Sequence, residues 1–155
     1  LVAGMIRRPA ELTLLDVGGN DVGATVLATL EDAFKNRPMR VLQVVNPLRP
    51  FTESIEGCLK VREEIEQAAK LAVDGIIGNA NLIDETSADD IYDGHEFVKR
   101  LSEQSGLALE FITVARKLLP SVDVRRFSCP VLPIERQLVP PWQKALPFEK
   151  QSPSE

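Results

Sequence analysis

The stretch RVLQVVNPLRPFTESIEGCLKVREEIEQAAKLAVDGIIGN, residues 40–79, decides the fold. Arg40 to Asn46 is a short, nearly continuous apolar run rich in β-branched residues. Thr52 is read as the N-cap of a helix carrying Ile55, Leu59, Arg62, Ile65 and Ala69 at spacings of three and four. Asp74-Gly75 stops that helix and opens a second apolar run, Asp74 to Asn79. Runs without strict alternation fit strands covered on both faces, as in parallel sheets. Strand, helix and strand at this spacing predict a right-handed βαβ crossover.

The same alternation extends in both directions. Glu11 to Val17, Leu109 to Val114 and Pro130 to Ile134 carry further strand signals. Helical period runs from Asp21 to Asn36, with Val22, Val26, Leu30 and Ala33 on one face. A third helix opens at Thr86-Ser87-Ala88-Asp89, a capping-box pattern, buries Ile91, Val98 and Leu101, and ends at Gly106. The expectation is an α/β domain over residues 1–135, with a parallel sheet of about five strands in a partial three-layer, Rossmann-like arrangement. Ala115 to Leu119 is read as a short helix stopped by Pro120. Residues 136–155 are proline-punctuated and predict an extended arm anchored by Trp142 and Phe148.

Composition narrows the function. A net charge of −5 gives no basic field for nucleic acid or an anionic membrane, and the Arg125-Arg126 pair does not change that. No apolar run reaches the roughly 20 residues of a membrane span. Two cysteines, Cys58 and Cys129, make neither a disulfide framework nor a metal site and read as small buried residues in a reducing cytoplasm. His95 is the only histidine and reads as a surface helix residue with no triad partner. Glu63, Glu64 and Glu66, with Lys60 and Lys70, read as a solvated helix face.

Chemistry concentrates at strand ends. Asp16-Val17-Gly18-Gly19 follows the first strand, with a second acid at Asp21. A carboxylate there faces the crevice where open α/β sheets bind ligands, and two glycines let backbone approach a phosphate. In this reading Asp16 holds a Mg²⁺-bound water, Gly18 or Gly19 donates an N–H to a terminal phosphate, and Asp21 orients an attacking water. The rival reading is a tight turn with Asp21 as N-cap. Asn46-Pro47-Leu48-Arg49-Pro50 follows the second strand; Arg49 suits a phosphate or a partner carboxylate, or is simply exposed. Asn79, ending the third strand, offers an amide that matches the edge of adenine, unless Asn79 or Asn81 merely eases a turn.

Three segments, L-L-D-V-G-G at 14–19, V-V-N-P-L-R-P at 44–50 and G-I-I-G-N at 75–79, resemble the C-terminal part of the MinD/ParA/CobQ-type P-loop ATPases, the deviant Walker branch that includes dethiobiotin synthetase. The likeness covers roughly residues 10 to 115. It implies ATP with Mg²⁺, Walker B and switch II roles for Asp16, Gly18 and Gly19, adenine contact by Asn79, homodimers formed across the nucleotide, and a protein partner or cargo that the sequence does not identify. The family's Lys-bearing phosphate loop is missing, since the chain has no Gly-Lys dipeptide. The chain opens on Leu1 inside an apolar stretch, so it is expected to be a piece of a longer cytoplasmic protein and to have negligible ATPase activity alone. Two other readings stay open: a degenerate, non-hydrolysing α/β interaction module, and a flavodoxin-shaped enzyme using the Gly18-Gly19 turn for a phosphate.

Overall fold

The computed structural model describes residues 2–8, 10–18, 21–34 and 38–137, without the side chains of Asp21 and Val22. Helices are α1 (Val2–Ile6), α2 (Asp21–Ala28), α3 (Glu31–Phe34), α4 (Ile55–Ala69) and α5 (Ala88–Ser105); strands are β1 (Leu42–Val45), β2 (Gly75–Gly78), β3 (Ala108–Ala115) and β4 (Val131–Ile134). The strands form one sheet in the order β1-β2-β3-β4, and every neighbouring pair is parallel. The α/β reading therefore holds. The predicted arm, with Trp142 and Phe148, lies outside the described residues from position 138 onward.

Because the strands follow one another across the sheet in chain order, right-handed crossovers put α4 and α5 on the same face. Their buried residues Cys58, Ile91, Val98 and Leu101 pack on Val45, Ile76, Ile112 and Val114. Strand alternation turns Val44 and Leu132 the other way, and Val44 is 57% exposed. Helix α2 then packs on α4 through Ala24 and Leu27 against Ala69.

Local chemistry accounts for the boundaries. The cap of α4 is Ser54, whose Oγ accepts the Gly57 N–H, and not Thr52. Thr52 instead donates its hydroxyl to the Asn46 carbonyl at 2.7 Å and closes the preceding loop. Helix α5 starts in a full capping box between Ser87 and Asp90, one residue later than the sequence pattern suggested, and ends at Gly106 with φ of 71°. The Ala115–Leu119 segment forms a 3-10 turn over Arg116–Ser121 that includes Pro120.

Two expectations fail. Glu11 to Val17 forms no strand, which is why the sheet has four strands and not five. An apolar run becomes a strand only where its backbone finds a ladder partner, and residues 12–18 join none. Leu14 stays 83% exposed, and only Val17 is drawn in, toward Ala24, Leu27 and Ala69. The predicted helix Asp21–Asn36 breaks after Ala28 and resumes as α3, so that Ala24, Leu27 and Ala33 are buried while Val26 points outward.

At the N-terminal edge of the sheet an irregularity between Ile76 and Ile77 leaves Glu110 as an extra residue of β3. Its side chain crosses Gly75, where a Cβ would lie 2.8 Å from Glu110 Oε1, and forms a two-pronged ion pair with Arg40 at 2.6 and 3.2 Å. That contact ties β3 to the chain entering β1.

Candidate functional site

The opposite, C-terminal edge gathers the polar residues. Parallel pairing places Val45 beside Gly78 and Gly78 beside Ile112, so the residues one step on, Asn46, Asn79 and Thr113, lie in a row along the edge. All three sit on the face away from α4 and α5, because their strand neighbours Val45, Gly78 and Ile112 face the helices.

Asn46 is a tie between loops. Its Nδ2 donates to the Asn81 carbonyl at 2.8 Å, while its Oδ1 accepts the N–H groups of Leu48 at 3.0 Å and Asn81 at 3.3 Å. Asn81 Oδ1 in turn accepts the Ile83 N–H at 2.6 Å. These bonds use the Asn46 amide and the Asn81 side-chain oxygen in shaping the loops after β1 and β2, while the Asn81 Nδ2 has no acceptor among the described residues. Phe51 (φ 71°) and Ile83 (φ 63°), bulky residues in the left-handed region, belong to the same two loops. Such backbone costs about 1–2 kcal/mol per residue and persists where surrounding contacts fix it.

Asn79 is engaged differently. Its N–H continues the ladder to the Val45 carbonyl at 2.8 Å, and its Oδ1 accepts the Thr113 hydroxyl at 2.6 Å. Its Nδ2 hydrogens have no acceptor among the described residues. Arg49 is exposed in the loop after β1 and makes no ion pair among the described residues.

Charged residues from the remaining loops rim the edge. Lys117 Nζ lies 2.9 Å from Asp84 Oδ1, Arg136 reaches Asp84 Oδ2 at 3.7 Å, and Arg116 pairs with Glu135. The Lys117 ammonium holds the Asp84 carboxyl below the usual carboxylate range. Beneath the row, a partly open recess of about 10 Å³ is lined by Gly78, Ala80, Gly94, His95 and Thr113, among others. It has room for one water at most and is too small for a nucleoside.

The structure does not bring Asp16 and Gly18 to this edge. Val17 packs on the cluster of Ala24, Leu27 and Ala69, at the end of α4 remote from Asn46. Asp16 is exposed and makes no hydrogen bond or ion pair among the described residues. Gly18 closes against α2, where a Cβ on Gly23 would come within 2.4 Å of its carbonyl oxygen. Gly19 and the side chain of Asp21 lie outside the described residues. Among the described residues no three His, Cys, Asp or Glu side chains group to hold a metal ion by themselves.

His95 departs from its surface reading. It is 3% exposed, and its Nε2 accepts the Ser128 N–H at 3.2 Å with Ser128 Oγ at 3.1 Å. An accepting Nε2 places the ring proton on Nδ1, which lies 3.3 Å from Glu96 Oε1. The ring meets Phe127 edge-on at 5.1 Å. Through the Ser128 N–H bond to Nε2, the imidazole fastens the segment before β4 to α5. The signal was available: His95 lies four residues after Ile91 and three before Val98, on the buried stripe of the helix. Cys58 is buried as the sequence suggested, whereas Cys129 is only half-buried. Burial pushes the Cys58 thiol up to about 11 and raises Cys129 as well.

No helix among the described residues is long and apolar enough to cross a membrane. Comparison of the chain with protein-family models, curated proteins and solved structures found no match.

Proposed function

We propose that the chain supplies the base-binding wall of a nucleotide-binding α/β protein of MinD/ParA/CobQ type, with Asn79 reading adenine. The observation that supports this is the Asn79 side chain: an amide at the C-terminal end of a parallel strand, its oxygen beside the Thr113 hydroxyl, its two N–H donors without an acceptor among the described residues. Ligands of open α/β sheets lie outside these strand ends. Arg49, exposed in the neighbouring loop, suits a phosphate of the same ligand. Asn46 and the Asn81 oxygen shape the loops on either side of the Asn79 amide. Hydrolysis is a property proposed for the whole protein. Roles for Asp16, Asp21, Gly18 and Gly19 at the phosphates require the 11–17 run to join the sheet, and no magnesium-dependent step is assigned to the arrangement described above.

The test is a titration of the 155-residue chain with adenosine, followed through the side-chain amide resonances of Asn79 and the amides of Asn46 to Arg49. With no phosphate loop, affinity near millimolar is expected, on the order of 4 kcal/mol of binding free energy. Saturable shifts at Asn79, lost in Asn79→Ala, support the reading; shifts absent from Asn79 defeat it. The chain alone is expected to show no magnesium-dependent ATP turnover. A Gly-rich loop ending in Gly-Lys-Ser/Thr encoded upstream of Leu1 would add weight to the family reading.

A second reading, a non-hydrolysing interaction module, draws on the exposed apolar residues Leu12, Leu14, Val44 and Phe51. It predicts partner binding unaffected by Asn79→Ala.

A further inference from the structure

We propose that the C-terminal arm, residues 138–155, docks on the open face of the sheet and supplies its second covering layer. All-parallel sheets are buried on both faces, since their strands carry apolar side chains on both. Among the described residues only one face is covered. There Val45, Ile76, Ile112 and Val114 meet α4 and α5 and are at most 3% exposed. On the other face Val44 pairs in register with Ile77, and Ile77 with Phe111, so the three form an apolar stripe across β1, β2 and β3. Leu132 of β4 extends it beside Thr113. Val44 is 57% exposed and Leu132 47%. Ile77 and Phe111 are only half-buried, although β2 and β3 are the inner strands. The remaining helices pack elsewhere, α2 on α4 and α1 on α3.

Position, length and composition make the arm the occupant of this face. It follows Gln137, three residues after Ile134 ends β4 at the side of the sheet. Phe111 lies four residues back from Ala115, the register partner of Ile134, which is roughly 13 Å along the strand. The eight residues from Ile134 to Trp142 span up to about 26–29 Å, so the chain can turn and bring Trp142 over the stripe. Leu138, Trp142, Leu146 and Phe148 offer apolar side chains. Pro140, Pro141 and Pro147 carry no N–H, so an extended segment built on them buries fewer unpaired donors against an apolar surface. Because the arm is joined to the sheet, it also meets this face at a higher effective concentration than a separate copy does. The proposal is independent of the nucleotide reading.

Trp142 is the only tryptophan, so its fluorescence reports on the arm. In the 155-residue chain its emission is expected to be blue-shifted and shielded from acrylamide relative to the free peptide 138–155, and unchanged on dilution. The double variant Val44→Lys/Leu132→Lys sets two ammonium groups on the stripe at positions already exposed. It is expected to return emission and quenching to the values of the peptide, with far-ultraviolet circular dichroism unchanged. Val26→Lys, a similarly exposed apolar site on α2, is the control and is expected to alter neither. Emission matching the free peptide in the wild type overturns the proposal, and so does a blue shift that survives the double variant. A shift lost on dilution assigns the face to a second copy of the chain and overturns it too. A further measurement leaves the sheet untouched: Trp142→Ala is expected to move the methyl resonances of Val44, Ile77 and Leu132, and methyls that stay in place overturn the proposal.

Discussion

Gly94→Ala puts the local and tertiary readings of one residue in direct conflict. Gly94 lies inside α5, where glycine costs roughly 0.5–1 kcal/mol relative to alanine, so helix propensity alone predicts a more stable protein. The packing predicts the opposite. A Cβ on Gly94 would lie 2.3 Å from the Ala80 Cβ, against an optimal carbon–carbon separation of about 3.5–4.0 Å. Neither atom can swing away, because each Cβ is fixed to its own backbone. Relief requires α5 to lift from the sheet or the 79–81 loop to shift, which disturbs the Thr113–Asn79 and Asn46–Asn81 hydrogen bonds. Overpacking of this kind costs about 1–3 kcal/mol, and one weakened hydrogen bond adds about 1 kcal/mol. Less the helical gain, the net loss is about 1–3.5 kcal/mol. For a domain of this size that lowers Tm by roughly 2–14 °C. Urea unfolding followed by far-ultraviolet circular dichroism measures it, with an unchanged m value as the check that only stability moved. Gly4→Ala in α1 is the control, since a Cβ there meets nothing within 4 Å and only the propensity gain applies. Gly94→Ala as stable as the wild type, or more so, would refute the close approach of α5 to the Asn79 loop.

Two further outcomes follow from the packing and the charges. Lys70 caps α4 with φ of 57°, so Lys70→Gly is expected to raise stability by about 0.5–1 kcal/mol, read as a Tm increase of roughly 1–4 °C in calorimetry. The hydrogen bond from Arg40 holds the Glu110 carboxyl below its ordinary 4.5, so this pair stabilises the fold above that value and the contribution is lost as pH falls through the lowered folded value. Glu110→Gln should therefore be less stable than the wild type near neutral pH, with the gap in urea midpoints closing in acid. A gap that is constant with pH would show that the ion pair is not its source.

How far the chain could be read in advance varied by element. The crossover unit over 40–79 was legible because its signals are local: β-branched apolar runs, a helical stripe and turn residues at the junctions. The capping box at Ser87 and the Gly106 stop are likewise local, and both formed within a residue of the pattern. Glu11 to Val17 has equal apolar character and makes no strand, because a strand is defined by a neighbour and pattern alone does not supply one. His95 misled for the reverse reason. Its residue type argued for the surface, while its position on the stripe of Ile91 and Val98, and a segment 33 residues on, put it in the core.

The candidate site divides along the same line. The sequence by itself determined an all-parallel α/β domain, with Asn46 and Asn79 at the ends of successive strands, since strand spacing and parallel crossovers suffice for that. It also determined that no Gly-Lys loop accompanies them. Only the tertiary structure decided what each amide does. Asn46 is used up between loops, Asn79 keeps its donors, and Asp16 rests at the far end of α4. The reason is that hydrogen-bond partners at the edge come from different strands, 34 and 35 residues apart in the chain. Register, which fixes those meetings, is a property of the assembled sheet.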